Sequence, residues 1–206
     1  MEVDQVSEGD ESVRSEDDLY VEESAFGIWV SWFDAEDAEL SQSSNKFPSR
    51  ITVFRSAVAD YLERESLGSG VRAVDFGTSV YIEIGVGDQT SDLLGWVRGL
   101  RGYLLDGDWS TFAVIAYGGC WLAARGVAWS DRVGSVSVLG SMGPSEPFRK
   151  VMAADVLSHD DDESGRVGWG AGLFVDVEAM DALGRKLRNA PTPLYARDAC
   201  FFRLSA

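Results

Sequence analysis

The sequence is poor in the residues that enzymes most often use for nucleophilic or metal chemistry. Its 206 residues include one histidine, His159, and two cysteines, Cys120 and Cys200. A Ser-His-Asp arrangement would have to recruit His159 from an acidic run, and no Gly-x-Ser-x-Gly segment is present. The cysteines are 80 residues apart, which is not a zinc-ligand spacing. We therefore expect no metal or cofactor, and the sequence nominates no catalytic residue.

Basic residues are also scarce, and this scarcity excludes two classes of partner. Eighteen Lys and Arg face 34 Asp and Glu, which gives a formal net charge of −16. Binding to nucleic acid depends on bases that neutralise phosphates and release counterions, and no basic run occurs. An anionic membrane would repel the chain for the same reason. We predict that the protein binds neither nucleic acid nor a membrane surface.

Long apolar runs and a secretory signal are absent. The longest apolar run, residues 112–124, has 13 residues and contains two glycines, so it is too short to span a bilayer. The first 23 residues lack the basic start and apolar centre of a secretory signal. We therefore expect a cytoplasmic protein in which Cys120 and Cys200 are buried free thiols.

Negative charge is concentrated at the start of the chain. Residues 1–24 contain ten carboxylates and one base, Arg14, and so hold −9 of the total charge, which leaves −7 for the other 182 residues. The segment lacks the apolar content that offsets chain entropy, which predicts a disordered acidic tail over residues 1–24. Residues 25–206 contain all seven tryptophans and are long enough to fold as a single globular domain.

Strand patterns recur along this body. Aromatic and β-branched residues over 26–33 predict a buried strand, and residues 71–86 predict two strands separated near Gly77. Further strands are predicted over 111–124, with a bulge at Gly118 and Gly119, and over 133–139, 172–175 and 200–204.

Four helices are predicted between these strands. The first follows Ser49, a candidate N-cap, and the second ends at residues 106–108. The third has Pro147 in its first turn, and the fourth is capped by Asp176. This order predicts an α+β domain with a single mixed or mostly antiparallel sheet of about six or seven strands, layered with about four helices.

The sharpest local signal is the acidic run over residues 160–165. Its acidic residues and glycine match the first six positions of a calcium loop, but the twelfth position, which should be a bidentate Glu, is Ala171. We therefore favour a solvated turn over the alternative of weak calcium or magnesium binding, and the turn is also a candidate contact for a basic protein partner. This acidic contact consists of Asp160, Asp161, Asp162 and Glu163.

Two tryptophans are further candidates for contact with a partner. Trp129 and Trp169 lie in segments rich in Gly, Ser and Asp, outside the strand and helix patterns. Exposed aromatic side chains are typical anchors of protein interfaces. Each of the two tryptophans is therefore a candidate for the protein-binding surface.

In composition the chain is similar to bacterial immunity proteins, which are small, acidic α+β proteins that inhibit a cognate toxin. The resemblance is one of type and transfers no residue. It implies an acidic protein-binding module of the immunity type, which neutralises a basic toxin or enzyme through carboxylates that steer the encounter. The alternative is an enzyme or small-ligand-binding domain whose site cannot be recognised from the sequence. We favour the binding module, and the sequence does not indicate an oligomeric state.

Overall fold

Seven strands form one mixed sheet, and four helices pack against it. The computed structural model describes residues 22–33, 47–65, 67, 71–85, 92–121, 146–158, 171–184, 193–196 and 198–204. The strands are β1 (Glu22–Trp32), β2 (Val71–Asp75), β3 (Ser79–Gly85), β4 (Thr111–Trp121), β5 (Gly172–Asp176), β6 (Leu194–Ala196) and β7 (Ala199–Leu204). The helices are α1 (Phe47–Arg64), α2 (Leu93–Asp106), α3 (Glu146–Ser158) and α4 (Val177–Ala182).

The sheet has the strand order β2-β3-β1-β4-β5-β7-β6. Strands β4 and β5 run parallel, whereas the other neighbours pair in the antiparallel sense. The architecture confirms the predicted α+β class, with one mixed sheet and four helices among the described residues.

The central strand β1 is buried on both faces. Every residue from Ala25 to Trp32 is buried, as its continuous apolar and aromatic run requires. Its register with β4 continues through Gly118 and Gly119, so the bulge predicted there is wrong. Because β1 begins at Glu22, three residues of the predicted acidic tail lie in the strand. Residues 1–21 lie outside the described residues, and the division into tail and domain stays a prediction.

Helices α1 and α2 cover one face of the sheet, which we call the α1/α2 face. On α2 the buried residues recur at helical spacing and include Leu93, Trp96, Val97, Leu100 and Leu104. Helix α1 begins at Phe47, two residues before the predicted N-cap. The strand residues on this face alternate with those on the other face and include Phe26, Ile28, Val30, Ile82, Ile115 and Val175.

The turn between β2 and β3 is fixed to α1 by one carboxylate. Asp75 accepts a hydrogen bond from the Gly77 amide at 2.8 Å and pairs with Arg55 Nε at 2.8 Å. Gly77 has a φ of +80°, a conformation that glycine adopts without strain. The hairpin predicted from Gly77 therefore has its turn held against a helix.

Helix α3 covers the opposite face, which we call the α3 face. The ring centroid of Phe148 lies 5.1 Å from that of Tyr81 and 5.6 Å from that of Phe76. The rings of Phe76 and Trp29 also pack together, with their centroids 5.2 Å apart. Val151 is buried among the strand residues of this face. Tyr81 and Glu83 are buried as well, so β3 is covered on both of its faces.

The strand predicted over 133–139 and the two predicted buried thiols are described by the structure only in part. The strand predicted over 133–139 lies outside the described residues. Strand β6 was not predicted because it has only three residues and follows Pro193. Cys200 is a half-buried free thiol whose pKa is raised by burial, whereas the side chain of Cys120 lies outside the described part of the chain.

Of the helices that the structure describes, none has the length and apolar character needed to cross a membrane.

A glycine sets the distance between α3 and the sheet, and this contact can be tested. A Cβ atom at Gly27 would lie 2.7 Å from both the Pro147 Cβ and the Tyr81 hydroxyl. We expect Gly27→Ala to lower the free energy of unfolding by about 2 kcal/mol, because α3 must move away from β1. Urea denaturation followed by tryptophan fluorescence measures this loss.

The matched control is Gly85→Ala in the neighbouring strand, where an added Cβ meets no atom within 4 Å. Its effect should stay within about 0.5 kcal/mol. Equal losses in the two variants would contradict the close approach of α3 to Gly27.

Candidate functional site

Polar side chains are distributed unequally between the two faces of the sheet. Within the described part of the chain, the buried polar residues are Ser31, Ser79, Glu83, Thr111 and Asp176. Strand alternation places all of them except Thr111 on the α3 face. Burying polar groups costs free energy unless they are paired, and these groups are paired: Ser79 Oγ donates to Ser31 Oγ at 2.8 Å, and Glu83 and Asp176 have the partners described below.

The largest polar cluster on this face surrounds Lys150, and we call it the lysine centre. Lys150 Nζ donates a 2.7 Å hydrogen bond to the Tyr117 carbonyl. It also lies 3.2 Å from an oxygen of Asp176, 3.2 Å from Glu178 and 3.4 Å from Glu146. The cluster therefore joins α3 to the C-terminal ends of the parallel strands β4 and β5 and to the start of α4.

Asp176 is the buried member of the lysine centre, with an exposed fraction of 0%. One carboxylate oxygen accepts the Ala179 amide at 2.6 Å and caps α4, as the sequence predicted. The other accepts the Tyr117 amide at 3.2 Å. Burial raises the pKa of Asp176 to about 6, although Lys150 and these amide donors lower it.

This pKa makes stability depend on pH. Because the folded-state pKa of Asp176 lies above its ordinary value of 3.8, the folded state keeps its proton to higher pH. The contribution of Asp176 to stability is therefore greatest below pH 3.8 and falls as pH rises through about 6. At neutral pH the carboxylate is mostly ionised and needs its cation.

Lys150 supplies that cation. Burial lowers the pKa of Lys150, but the charge of Asp176 and hydrogen bonds to Asp176 and Glu178 outweigh burial, so the pKa is raised. With three carboxylates and one carbonyl around Nζ, the donors of Lys150 are already engaged. The lysine centre consequently positions elements, and its ammonium group is not open to a ligand. No cluster of three or more metal-ligating side chains occurs in the described ranges.

A second polar group on the α3 face lies across β2 and β3. Arg72 and Glu83 are directly opposite each other in the register of the two strands. The Tyr81 hydroxyl donates to Glu83 Oε2 at 3.1 Å. Glu83 is 5% exposed, whereas Arg72 is half-buried and Phe76 at the end of the hairpin is 40% exposed. This group, which we call the hairpin group, combines a guanidinium, a carboxylate and aromatic rings.

The residues that the sequence predicts to contact a partner do not fall among the described residues. Asp160, Asp161, Asp162, Glu163, Trp129 and Trp169 all lie outside the described residues, as does His159. The sequence identified Asp176 as a helix cap but not as a buried ionic group, and it missed Lys150, Arg72 and Glu83. The available signals were weak: an i,i+4 pair, Glu146 and Lys150, and an acid that directly follows a buried apolar strand.

Comparison with known proteins yields similarity in structure only. No protein-family model matches the chain, and no curated protein matches it. Solved structures of nucleotide cyclase domains do match. The guanylate cyclase domain of RhGC from Catenaria anguillulae, in complex with GTP, has a TM-score of 0.54 and 10% identity, covering 90% of this chain and 98% of that one. The non-canonical dimeric guanylyl cyclase domain of the RhoGC fusion protein from Blastocladiella emersonii has a TM-score of 0.55 and 11% identity, with 89% and 95% coverage.

A class III adenylyl cyclase-like ATP-binding protein from Pseudomonas aeruginosa has a TM-score of 0.57 and 12% identity. The match covers 82% of this chain but 36% of that protein, so the chain spans about a third of its length. At these identities the similarity establishes the fold of the chain and not its activity.

The similarity corrects the function inferred from composition. The fold is that of nucleotide cyclase domains, so the interpretation as an immunity protein or toxin inhibitor is wrong. The inference failed because composition and net charge describe solubility and long-range attraction, and many folds share them. The comparisons also give no support to a basic protein partner.

Replacing Lys150 tests the lysine centre. We expect Lys150→Met to destabilise the domain by about 3 kcal/mol at pH 8, because it leaves the Asp176 carboxylate buried without its cation. At pH 5 the loss should be about 1 kcal/mol or less, because Asp176 is then largely protonated. Urea denaturation at the two pH values measures both losses.

Glu178→Gln is the matched control, because Glu178 is the exposed partner of the same ammonium group. Its effect should be within about 0.5 kcal/mol at either pH. A loss in Lys150→Met that is the same at pH 5 and pH 8 would contradict the role given to Asp176.

Proposed function

We propose that this domain binds a purine nucleoside triphosphate on the α3 face of its sheet. The observation that carries the proposal is the one-sided placement of buried polar groups on a fold similar to nucleotide cyclase domains. One of the compared proteins is described as ATP-binding, and another is in complex with GTP. The fold similarity supports the class of ligand, and the polar groups of this chain support the face.

The hairpin group has the chemistry needed to recognise a purine. The edge of a purine base presents hydrogen-bond donors and acceptors side by side. A guanidinium offers only donors and a carboxylate only acceptors, and the half-buried Arg72 lies opposite the buried Glu83 in the register of the two strands. The partly exposed ring of Phe76 offers a surface on which the base can stack.

The lysine centre supports this face without contacting the ligand. Its contacts attach α3 to the ends of β4 and β5, and the same helix carries Phe148, which packs on Tyr81 and Phe76. The position of the aromatic rings beside the hairpin group thus depends on where α3 is held. We assign Lys150 and Asp176 a positioning role.

Calorimetric titration with ATP and GTP in the presence of Mg²⁺ tests the proposal. We expect dissociation constants between about 1 μM and 1 mM, the usual range for such substrates. Arg72→Ala should weaken binding about tenfold, because it removes a charged donor to the ligand. Arg64→Ala removes an exposed arginine from α1, on the other side of the sheet, and should leave the affinity unchanged.

Absence of binding of either nucleotide at about 1 mM would contradict the proposal, as would equal affinities of the Arg72 and Arg64 variants. The same incubations can be analysed for cyclic nucleotide. That product would show whether binding leads to the reaction for which the compared cyclase domains are named.

Glu83→Gln provides a second test at the same group. The substitution keeps the size and shape of the side chain but replaces one acceptor by a donor. If Glu83 accepts hydrogen bonds from the base, Glu83→Gln changes the ratio of the GTP and ATP affinities. An unchanged ratio would place the base away from the hairpin group.

A further inference from the structure

A concave site lies at the end of the parallel strands opposite the lysine centre. A cleft of about 330 Å³ opens where β4 begins and β5 is about to begin. Its walls include Arg98 and Arg101 from α2, Trp109, Ser110 and Thr111 from the approach to β4, and Ala171. Thr111 and Tyr117 are six residues apart on β4, so the cleft and the lysine centre are separated by about 20 Å.

Two buried donors at this cleft have no acceptor. Arg101 Nε and Trp109 Nε1 are buried and make no hydrogen bond within the described part of the chain. A buried donor that is left unsatisfied loses its hydration without compensation, so native structures rarely retain one without a reason. Both side chains line the same cleft, together with the hydroxyl-bearing residues Ser110 and Thr111. The described lining of the cleft thus includes two side chains that each carry an unsatisfied hydrogen-bond donor.

The charged residues among the described lining of the cleft are two arginines, Arg98 and Arg101. Burial lowers the pKa of Arg101, and the nearby positive charge of Arg203 lowers it further. Arg203 donates to the Ala171 carbonyl at 3.2 Å and lies over the ring of Phe174. None of the described residues that line the cleft is an Asp or a Glu. In a chain of net charge −16, a cationic cleft without a carboxylate is not expected from composition.

We propose that this cleft binds the phosphate group of a small anionic ligand, with Arg101 as its central contact. A phosphate offers several acceptor oxygens and a charge that guanidinium groups bind in a bidentate manner. Its negative charge would offset the repulsion between Arg101 and Arg203. The cleft has the volume of a small-molecule site, so either free phosphate or a phosphate monoester fits it. The cleft shares no described residue with the hairpin group or the lysine centre, so phosphate binding there does not depend on nucleotide binding on the α3 face.

Titration of the full chain with inorganic phosphate tests the inference. Sodium chloride keeps the ionic strength constant, so that general screening does not imitate binding. We expect a dissociation constant of about 1 mM or lower and a rise in Tm with phosphate concentration. Arg101→Ala should weaken binding at least about tenfold and abolish the rise in Tm.

Three further variants make the result specific. Arg101→Lys keeps the charge but loses the guanidinium fork, so we expect an affinity between those of the wild type and Arg101→Ala. Arg64→Ala removes an equal charge from the exposed side of α1, and Arg72→Ala removes it from the hairpin group. Both should bind phosphate as the wild type does.

A parallel titration with glycerol 3-phosphate identifies the source of the phosphate group. Tighter binding of the monoester indicates an organic ligand, and equal affinity indicates free phosphate; both results support the cleft. Wild-type affinity in Arg101→Ala, or no binding at about 10 mM phosphate, would overturn the inference. Loss of phosphate binding in Arg101→Ala with ATP or GTP affinity retained would show that the two sites are separate.

Discussion

The burial of the Asp176 carboxylate is the constraint on which the α3 side of the domain depends. A buried carboxylate must be surrounded by hydrogen-bond donors. These come from three elements: the Tyr117 amide of β4, the Ala179 amide of α4 and the Lys150 ammonium of α3. One side chain thereby fixes the end of a parallel strand pair, the start of one helix and the placement of another. Apolar packing has no preferred direction, whereas these contacts attach α3 to named groups of β4 and α4.

The two faces of the sheet consequently have different roles. The α1/α2 face is an apolar core in which Phe54, Val58 and the buried side of α2 meet the strands. The α3 face mixes aromatic rings with carboxylates and a half-buried arginine. It gives up some of the stability of an apolar interface, and under the proposed function its polar groups contact the nucleotide. Such a division is typical of folds in which one layer supports and the other layer binds.

Periodicity predicted the elements because local spacing reports which side of an element is buried. Residues 93–104 and the hairpin around Gly77 follow their patterns closely. The sites could not be predicted in the same way, because they join residues distant in sequence. Lys150 donates a hydrogen bond to Tyr117, which lies 33 positions away in the sequence. Arg101 is repelled by the charge of Arg203, which lies about a hundred positions away. The net charge of −16 did not indicate the arginine-lined cleft, because a sum over the whole chain does not show where charges of one sign are grouped.

The contact between Gly27 and Pro147 has a consequence for tracing the ancestry of this chain. Two residues 120 positions apart share one small volume, so neither position can change its size independently of the other. Among distant relatives, a larger residue at the β1 position should occur together with a smaller residue at the start of α3, or with a helix shifted outward. This coupled pair offers a criterion for recognising homologues at identities where the rest of the sequence has diverged.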